Sequence, residues 1–124
     1  MGIYRIYRKG KGKYMKMIFA VVRPEKVYEI NGALADTGFF ASTKWQVSGR
    51  GKQNGIQVGE IVYDEMSKVV LMVACGDADK NEVIDVIMEH AQTGESGNSG
   101  DGRIFVMPVE ESYTISSSTK DNEK

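Results

Sequence analysis

Residues 48–68 read SGRGKQNGIQVGEIVYDEMSK, and this stretch indicates how the chain on either side of it is arranged. It follows an alternating segment that ends near Val47, and it precedes the unbroken apolar run of residues 69–75, VVLMVAC. Two strands joined by a glycine-rich polar connection predict a projecting hairpin loop. Loops of this kind are where a rigid scaffold commonly carries its function.

The first part of the loop, Gly49-Arg50-Gly51-Lys52-Gln53, has the chemistry of an anion-binding site. Its glycines leave backbone N–H groups unhindered by Cβ atoms, and its two cations attract negative charge. A second segment of the same kind follows later, Gly100-Asp101-Gly102-Arg103. Together they predict one phosphate-bearing ligand that two loops share.

The composition fits one small domain and excludes several classes of protein. The chain has 124 residues, 41% hydrophobic and 27% charged, with a formal net charge of −1, which gives no overall attraction to nucleic acid or to a membrane surface. One cysteine and one histidine leave no internal disulfide and no plausible zinc constellation. No apolar stretch is long enough to span a bilayer, and residues 17–22 are too short for a signal sequence, so we expect a cytoplasmic protein.

The two ends differ in character from the middle of the chain. Residues 1–14 are a basic extension, residues 15–117 form the folded domain, and residues 118–124 are expected to be a disordered tail. The extension could contact an anionic partner. We favour the plainer interpretation of a mobile tail, or of an upstream start codon with the true start at Met15.

The remaining pattern predicts two strand–helix–strand halves. The first has an apolar strand at residues 17–23, expected to be buried on both faces, a helix from Pro24 to Gly38, and a strand at residues 40–48. The second has a strand at residues 69–75, a helix capped by Asp77 or Asp79 and ended by Gly94, and a strand at residues 103–109, with a short edge strand at residues 113–116.

This order predicts an α+β protein of ferredoxin-like βαββαβ fold, with an antiparallel sheet and both helices on one face. The bare face must be covered, which a small domain usually achieves by oligomerising. Trp45 is expected in the core and Cys75 as a buried thiol, whereas His90 is expected to have a structural or exposed role. The core positions of the helices are Val27, Ile30, Leu34, Val83, Ile84, Ile87, Met88 and Ala91.

With its hairpin and its Gly-Asp-Gly loop, the sequence resembles the PII nitrogen-regulatory signalling family. The similarity runs from about residue 15 to about residue 109 and is carried by MKMIFAVVRPEKV, TKWQVSGRGKQNGI, VGEIVYDEMSK and TG…GDGRIFV. The short hairpin and the phrase IFVMPVEESYTI are most similar to the archaeal-type subgroup associated with nitrogenase. The resemblance implies compact trimers with the projecting hairpin that the family calls the T-loop.

The resemblance also implies a function. Such a protein is not an enzyme but senses ATP or ADP, with Mg²⁺, and 2-oxoglutarate, and regulates a target, here nitrogenase, by direct contact. It works as a homotrimer or as a mixed hexamer with a PII paralogue, without nucleic acid and without membrane insertion. Tyr63, at the base of the loop, is expected to be an ordinary strand residue and not the modifiable tyrosine of bacterial members.

The implied nucleotide site lies in a cleft between subunits, where the first loop of one chain and residues 100–103 of the adjacent chain hold the phosphates. Gln53 is similar to the glutamine that bridges Mg-ATP and 2-oxoglutarate, and Lys68 to the lysine that pairs with the 2-oxoglutarate carboxylate. Thr43 and Ala74 match positions near the adenine. The implied nucleotide-binding residues are Thr43, Gly49, Gly51, Lys52, Gln53, Ala74, Gly100, Asp101, Gly102 and Arg103.

Three features depart from the family pattern. Thr114 and Ser116 stand where members usually place one or two arginines that hold phosphate. Residues 95–99 expand the loop and add the negative charge of Glu95, and Arg103 replaces the usual lysine. These departures predict nucleotide binding that is weaker than in the family or changed in kind.

Three alternatives stay open from the residues. A PII-type regulator of an ammonium channel would carry a longer loop. A small ferredoxin-like enzyme such as a phosphatase would need a nucleophile or base beside Asp101, and none is evident, so Asp101 is better explained as a turn-forming residue. A diverged subunit that assembles without sensing nucleotide is consistent with Thr114 and Ser116.

Overall fold

The structure is a computed structural model that describes residues 14–39, 42–50, 56–58, 61–63 and 65–121. The helices are α1 (Val27–Asp36) and α2 (Lys80–Ala91), each preceded by one 3₁₀ turn, Pro24–Lys26 and Asp77–Asp79. The strands are β1 (Met15–Val22), β2 (Thr43–Arg50), β3 (Ile56–Val58), β4 (Ile61–Tyr63), β5 (Glu65–Gly76), β6 (Gly102–Val109), β7 (Tyr113–Thr114) and β8 (Thr119–Lys120).

Four of the strands form one antiparallel sheet in the order β2-β5-β1-β6. The central strands β1 and β5 pair from Met15 opposite Gly76 to Val22 opposite Val69. Strand β6 lies along the other side of β1, with Gly102 opposite Val22. The two halves of the chain are therefore interleaved, and the predicted ferredoxin-like βαββαβ arrangement is confirmed.

Helix α1 begins and ends as predicted. Pro24 opens the 3₁₀ turn that leads into the helix. At the other end Gly38 adopts a φ of 100°, and the Phe39 N–H donates to the Leu34 carbonyl at 2.8 Å, which is the Schellman pattern of a helix end. Phe39 and Leu34 are both buried in the core, so the same turn that stops the helix also packs it.

Helix α2 begins at a predicted cap position but ends earlier than predicted. Asp79 occupies the N-cap position without a side-chain cap hydrogen bond, and a 3₁₀ turn at Asp77–Asp79 leads directly into the helix. The helix ends at Ala91, since Gln92 adopts extended backbone, and Gly94 lies beyond it in the loop. No helix among the described residues is long and apolar enough to cross a membrane.

The core lies between the sheet and the two helices, and it confirms the predicted apolar faces with one exception. Met88 is 50% exposed, because it lies next to Ile87 and therefore about 100° further round the helix than the buried face. Cys75 is buried, as predicted. The core includes Ile18, Ala20, Val22, Val27, Ile30, Leu34, Phe39, Val69, Leu71, Val73, Cys75, Val83, Ile87 and Ala91.

The other face of the sheet is apolar and open in the single chain. Strand β1 was expected to be buried on both faces, yet only alternate residues such as Ile18 are fully buried, while Phe19 on the open face is half-buried. Trp45, predicted to be a core residue, is 42% exposed and meets Phe19 edge to face, with 6.4 Å between ring centroids. Phe105 and Met107 add exposed fractions of 50% and 43%.

The hairpin rises from β2 and β5, whose pairing continues to Arg50 opposite Glu65. Beyond them β3 and β4 pair with each other as a separate two-stranded sheet. The strands that flank the predicted loop are thus in place. Residues 51–55, 59–60 and 64 lie outside the described part of the chain, as do the side chains of β3 and β4, Tyr63 among them.

The chain after β6 forms a small second hairpin. Strands β7 and β8 pair, Ser118 turns the chain with a φ of 56°, and the Asp121 N–H donates to the Ser112 carbonyl at 2.8 Å. The edge strand expected at residues 113–116 is therefore shorter, at Tyr113–Thr114. The domain boundary predicted after residue 117 falls inside this hairpin.

Candidate functional site

The base of the projecting hairpin meets the Gly-Asp-Gly loop within one chain. Lys68 lies on β5 one residue before Val69, which pairs with the end of β1, and Gly102 begins β6 on the far side of the same end. The Lys68 Nζ donates to the carbonyl oxygen of Gly100, and only 6% of Lys68 is exposed. The Gly100 carbonyl thus contacts the hairpin base within one chain, while the expected meeting of residues 100–103 with the hairpin loop of an adjacent chain stays a prediction.

The Asp101 side chain accepts hydrogen bonds from several parts of the loop and from Arg23. Its carboxylate accepts hydrogen bonds from the Thr93 N–H at 3.0 Å, the Thr93 Oγ1 at 2.7 Å and the Asn98 N–H at 2.8 Å. The Arg23 Nε donates to it at 2.9 Å. Burial alone would raise the pKa of this carboxyl, but the hydrogen bonds from Asn98, Thr93 and Arg23 outweigh burial and hold the pKa well below its usual value.

The expanded segment before Gly100 contributes to this arrangement. The Asn98 Nδ2 donates to the Thr93 Oγ1 at 2.8 Å, and the Ser99 carbonyl accepts from the Arg23 Nη2 at 3.0 Å. With the Asn98 N–H bond to Asp101, residues 95–99, noted in the sequence as a departure from the family pattern, therefore supply three of the contacts that fix the loop. Glu95 is exposed in the turn.

Glycine is required at the start of β6. Gly102 has a φ of 122°, and a Cβ built on it would lie 1.8 Å from the Val21 carbonyl oxygen. Any side chain would therefore displace the end of β1. The following residue, Arg103, is exposed and opposes Val21 across β6 and β1.

Arg23 is a site residue that the sequence patterns did not single out. It directly follows β1, and Pro24 after it disfavours the helical region, in keeping with its extended backbone at ψ 138°. Its guanidinium reaches Asp101, which is 78 residues away in sequence. The predicted strand order offered one signal, because it places the end of β1 beside the start of β6.

Thr43 and Ala74 lie toward the opposite end of the sheet. Thr43 opposes Met72 across β2 and β5, and Ala74 opposes Met17 across β5 and β1. Ala74 is six residues along β5 from Lys68, so a strand rise of ~3.3 Å per residue puts their Cα atoms about 20 Å apart. Within one chain, Ala74 therefore lies well away from Lys68, the residue that contacts the Gly-Asp-Gly loop.

The anion-binding role of residues 49–53 stays a prediction. Gly51, Lys52 and Gln53 lie outside the described residues, and of Gly49 the backbone alone is described, opposite Met66. The expected contribution of Gln53 to Mg²⁺ therefore also stays a prediction.

The second hairpin holds Thr114 and Ser116, the residues that stand where the family resemblance implies arginines, and it brings the Asp121 carboxylate to Thr114. The Thr114 Oγ1 donates to one oxygen of Asp121 at 2.6 Å, and the Ser112 Oγ donates to the other at 2.6 Å. Ser116 is exposed in the turn. This region therefore offers a phosphate no arginine, and Asp121 adds a negative charge.

Two other reactive side chains do not belong to this site. Burial, with smaller contributions from Asp79 and Asp77, raises the pKa of the Cys75 thiol to about 11, so the thiol stays protonated at neutral pH. The His90 Nδ1 lies 2.8 Å from the Glu29 Oε2 and joins the two helices. In the described ranges, no group of three or more His, Cys, Asp or Glu residues is arranged to hold a metal ion.

Comparison with known sequences agrees with this fold and these motifs. The sequence model of the family described as "Nitrogen regulatory protein P-II" matches residues 15–119. The nitrogen fixation nifHD region GlnB-like protein 1 of Methanothermococcus thermolithotrophicus is 50% identical over 101 residues, which are 82% of this chain and 93% of that protein. The nifHD2 region GlnB-like protein 1 of Methanosarcina barkeri is 47% identical over 106 residues, 86% of this chain and 98% of that protein.

Solved structures agree as well. Arabidopsis thaliana PII bound to citrate matches with a TM-score of 0.69 and 28% identity, over 89% of this chain and 87% of that one. The GlnK–ATP complex of B. subtilis matches in fold with a TM-score of 0.72 and 19% identity, over 90% of this chain and 95% of that one. The chain belongs to the nitrogen regulatory protein P-II family, and the similar archaeal proteins place it with the nitrogenase-associated subgroup.

Proposed function

We propose that this protein is a signalling regulator that senses adenine nucleotide together with 2-oxoglutarate and controls nitrogenase by direct contact. The observation that carries the proposal is the meeting of the hairpin base with the Gly-Asp-Gly loop, where Lys68 donates to the Gly100 carbonyl. The names of the similar archaeal proteins, which refer to nifHD regions of nitrogen fixation, support the target.

The polarity of the loop supports a phosphate ligand. The carbonyl oxygens of Ser99 and Gly100 accept from Arg23 and Lys68. In a trans peptide the N–H points opposite to the carbonyl, so the N–H of Gly100 is directed away from Arg23. A backbone N–H so directed, near an exposed arginine such as Arg103, suits an anion. B. subtilis GlnK, which shares the fold, was solved as an ATP complex.

Lys68 supports a carboxylate ligand at the same place. An ammonium group carries three donors, so its contact with Gly100 is compatible with a further contact to a carboxylate. The depth of Lys68 in the structure strengthens such a pair, because water screens it less than it would at the surface. Arabidopsis PII, which is 28% identical, was solved bound to citrate, a polycarboxylate.

The open sheet face supports a trimer. Trp45, Phe105 and Met107 are each more than two-fifths exposed on this face. A contiguous apolar surface of this kind is what an oligomer interface covers. We propose that assembly, as a homotrimer or a mixed hexamer with a paralogue, brings Thr43 and Ala74 of one chain toward the loops of its neighbour and completes the nucleotide cleft.

A second candidate is a subunit that assembles but senses nucleotide weakly. The observation that favours it is the pair of hydrogen bonds from Ser112 and Thr114 to Asp121, in the region where the family usually supplies arginine. Replacing a bidentate cation with hydroxyls and a carboxylate removes attraction to phosphate and adds repulsion.

The activity of purified nitrogenase, measured with the purified protein at low and at saturating 2-oxoglutarate, tests the proposed target. A change in activity that depends on 2-oxoglutarate supports regulation by direct contact. Nitrogenase activity that stays the same under both conditions, while the protein still binds nucleotide and 2-oxoglutarate, contradicts this target and leaves the sensing function standing.

A further inference from the structure

Arg23 joins two points of the Gly-Asp-Gly loop to the end of β1. Its Nε donates to Asp101 at 2.9 Å, and its Nη2 donates to the Ser99 carbonyl at 3.0 Å. The two side chains of the ion pair are largely buried, with 20% of Arg23 and 15% of Asp101 exposed. Such a pair is less screened by water than a surface salt bridge.

These contacts need the geometry of a guanidinium. Arginine presents several N–H donors in a rigid planar fork, so one side chain can bind a carboxylate and a carbonyl in fixed directions. The ammonium of a lysine is a point charge on a flexible chain. Lysine would keep the charge beside Asp101 but could not hold the Ser99 carbonyl at the same fixed angle.

The contact with Ser99 sets the direction of a peptide group. Because the Ser99 carbonyl is turned toward Arg23, the N–H of Gly100 in the same peptide is turned away from it. Lys68 holds the next carbonyl, that of Gly100. The N–H of that second peptide, on Asp101, donates to the Asn98 carbonyl at 3.1 Å. Both peptide groups are thus fixed, and the Gly100 N–H is the one directed away from Arg23.

We propose that Arg23 is a positioning residue for anion binding: through Asp101 and the Ser99 carbonyl it holds the loop so that the Gly100 N–H faces the phosphates of a nucleotide. This inference rests on the proposed function, because it assumes that the loop binds phosphate. Arg23 itself does not contact the ligand in this arrangement. Its effect is to remove the cost of ordering the loop when the ligand binds.

The test compares three variants of the full-length protein. Arg23→Met removes both contacts, and Arg23→Lys keeps the charge but loses the fork. Lys26→Met is the matched control, since Lys26 follows three residues later, has 24% of its side chain exposed and pairs with Glu29 at 3.6 Å. Two quantities are measured: the Kd for Mg-ATP by calorimetry, and amide hydrogen exchange of peptides covering residues 93–103 relative to those covering α1 and α2.

If Arg23 positions the loop, its replacement weakens Mg-ATP binding and loosens residues 93–103 alone, and a lysine does not restore either property. Arg23→Met raises the Kd about tenfold and Arg23→Lys about threefold or more, with faster exchange confined to residues 93–103, while Lys26→Met stays within about twofold. Faster exchange throughout the helices as well would show a general loss of stability and overturn the positioning role. So would an Arg23→Met protein that binds Mg-ATP as the wild type does.

Titration of the wild-type protein distinguishes failure of the proposed function from failure of the positioning role of Arg23. A wild-type protein that binds no nucleotide overturns the proposed function and, with it, the positioning role. A wild-type protein that binds Mg-ATP, combined with an Arg23→Lys variant that matches it in Kd and in exchange, overturns the positioning role alone.

Discussion

Lys68 donates a hydrogen bond to the carbonyl oxygen of Gly100, and this contact joins two loops that lie 32 residues apart in the chain. The lysine sits on the long strand β5, so its backbone is fixed by the pairing with β2. The glycine belongs to a loop that Asp101 and Arg23 hold from the other side. A largely buried cation therefore links the base of the hairpin to the Gly-Asp-Gly loop.

Replacement of Lys68 tests its assignment to the carboxylate ligand. Lys68→Met should weaken 2-oxoglutarate binding in the presence of Mg-ATP by about tenfold or more, because a dianion loses its charged partner. Calorimetric titration with 2-oxoglutarate measures the change. Lys44→Met is the control, because Lys44 is an exposed residue of β2. Equal 2-oxoglutarate affinity in wild type and Lys68→Met would show that the lysine serves the loop alone.

Asp101 should make stability depend on pH. Its folded-state pKa is lowered, so its contribution is fully present above the unfolded-state pKa of about 3.9 and is lost as the pH falls through that value and below. Asp101→Asn should cost about 2 kcal/mol of unfolding free energy at pH 7 and progressively less below pH 4. Urea unfolding at several pH values measures this, with the exposed Asp85→Asn as control. A difference between wild type and Asp101→Asn that stays constant down to pH 3 would be inconsistent with the ionic role.

Two glycines should respond in opposite ways to alanine. Gly32 lies inside α1, and a Cβ added there meets nothing within 4 Å, so Gly32→Ala should raise the unfolding free energy by about 0.5–1 kcal/mol. Gly102→Ala would place its Cβ 1.8 Å from the Val21 carbonyl oxygen and should be strongly destabilising. Thermal unfolding of both variants measures these opposite changes in stability. A Gly102→Ala protein as stable as wild type would mean that the end of β1 can shift.

Charge on the open sheet face should prevent assembly. Phe105→Asp places a carboxylate in the apolar surface proposed to be buried between copies, where an unpaired charge is costly. Light scattering or sedimentation should show the mass of a trimer for wild type and of a monomer for the variant. Tyr28→Asp is the control, because Tyr28 is 92% exposed on α1. Loss of assembly in the control but not in Phe105→Asp would place the interface on the helices instead.

An arginine on the second hairpin should strengthen nucleotide binding. Ser116→Arg restores a cation where the family usually has one, and it leaves the Thr114–Asp121 contact intact. Mg-ATP affinity should rise about tenfold, as expected for a charge-assisted contact to phosphate. Ser117→Arg, one residue further along the same exposed turn, is the control. If Mg-ATP affinity rises equally in both variants, the added net charge explains the increase, and a specific contact from residue 116 does not.

The fold was largely predictable because its signals are local. Val27, Ile30 and Leu34 recur at helical spacing and are buried, and Gly38 stops the helix with a positive φ. The main error concerns the open face of the sheet. Trp45 has the pattern of a core residue, but periodicity cannot distinguish a face buried in its own chain from an apolar face left open on it.

The candidate site was less predictable, because its contacts are not local. Gly100 and Asp101 could be recognised from their motif, yet the role of Arg23 depends on a partner 78 residues away. In the sequence Arg23 is a single cation at the end of an apolar strand, a common and usually solvated position. The contact between Lys68 and Gly100 within one chain also follows only from the strand order, which brings the start of β6 to the end of β1.

Calorimetric titration of the wild-type protein with Mg-ATP, in the presence and in the absence of 2-oxoglutarate, tests the central claim most directly. The proposed function predicts that Mg-ATP binds and that 2-oxoglutarate changes its Kd, because it assigns both ligands to the place where Lys68 meets the Gly100 loop. A titration with no heat of binding under either condition, confirmed by unchanged thermal stability, would contradict nucleotide sensing. The protein would then be an assembly subunit of the family.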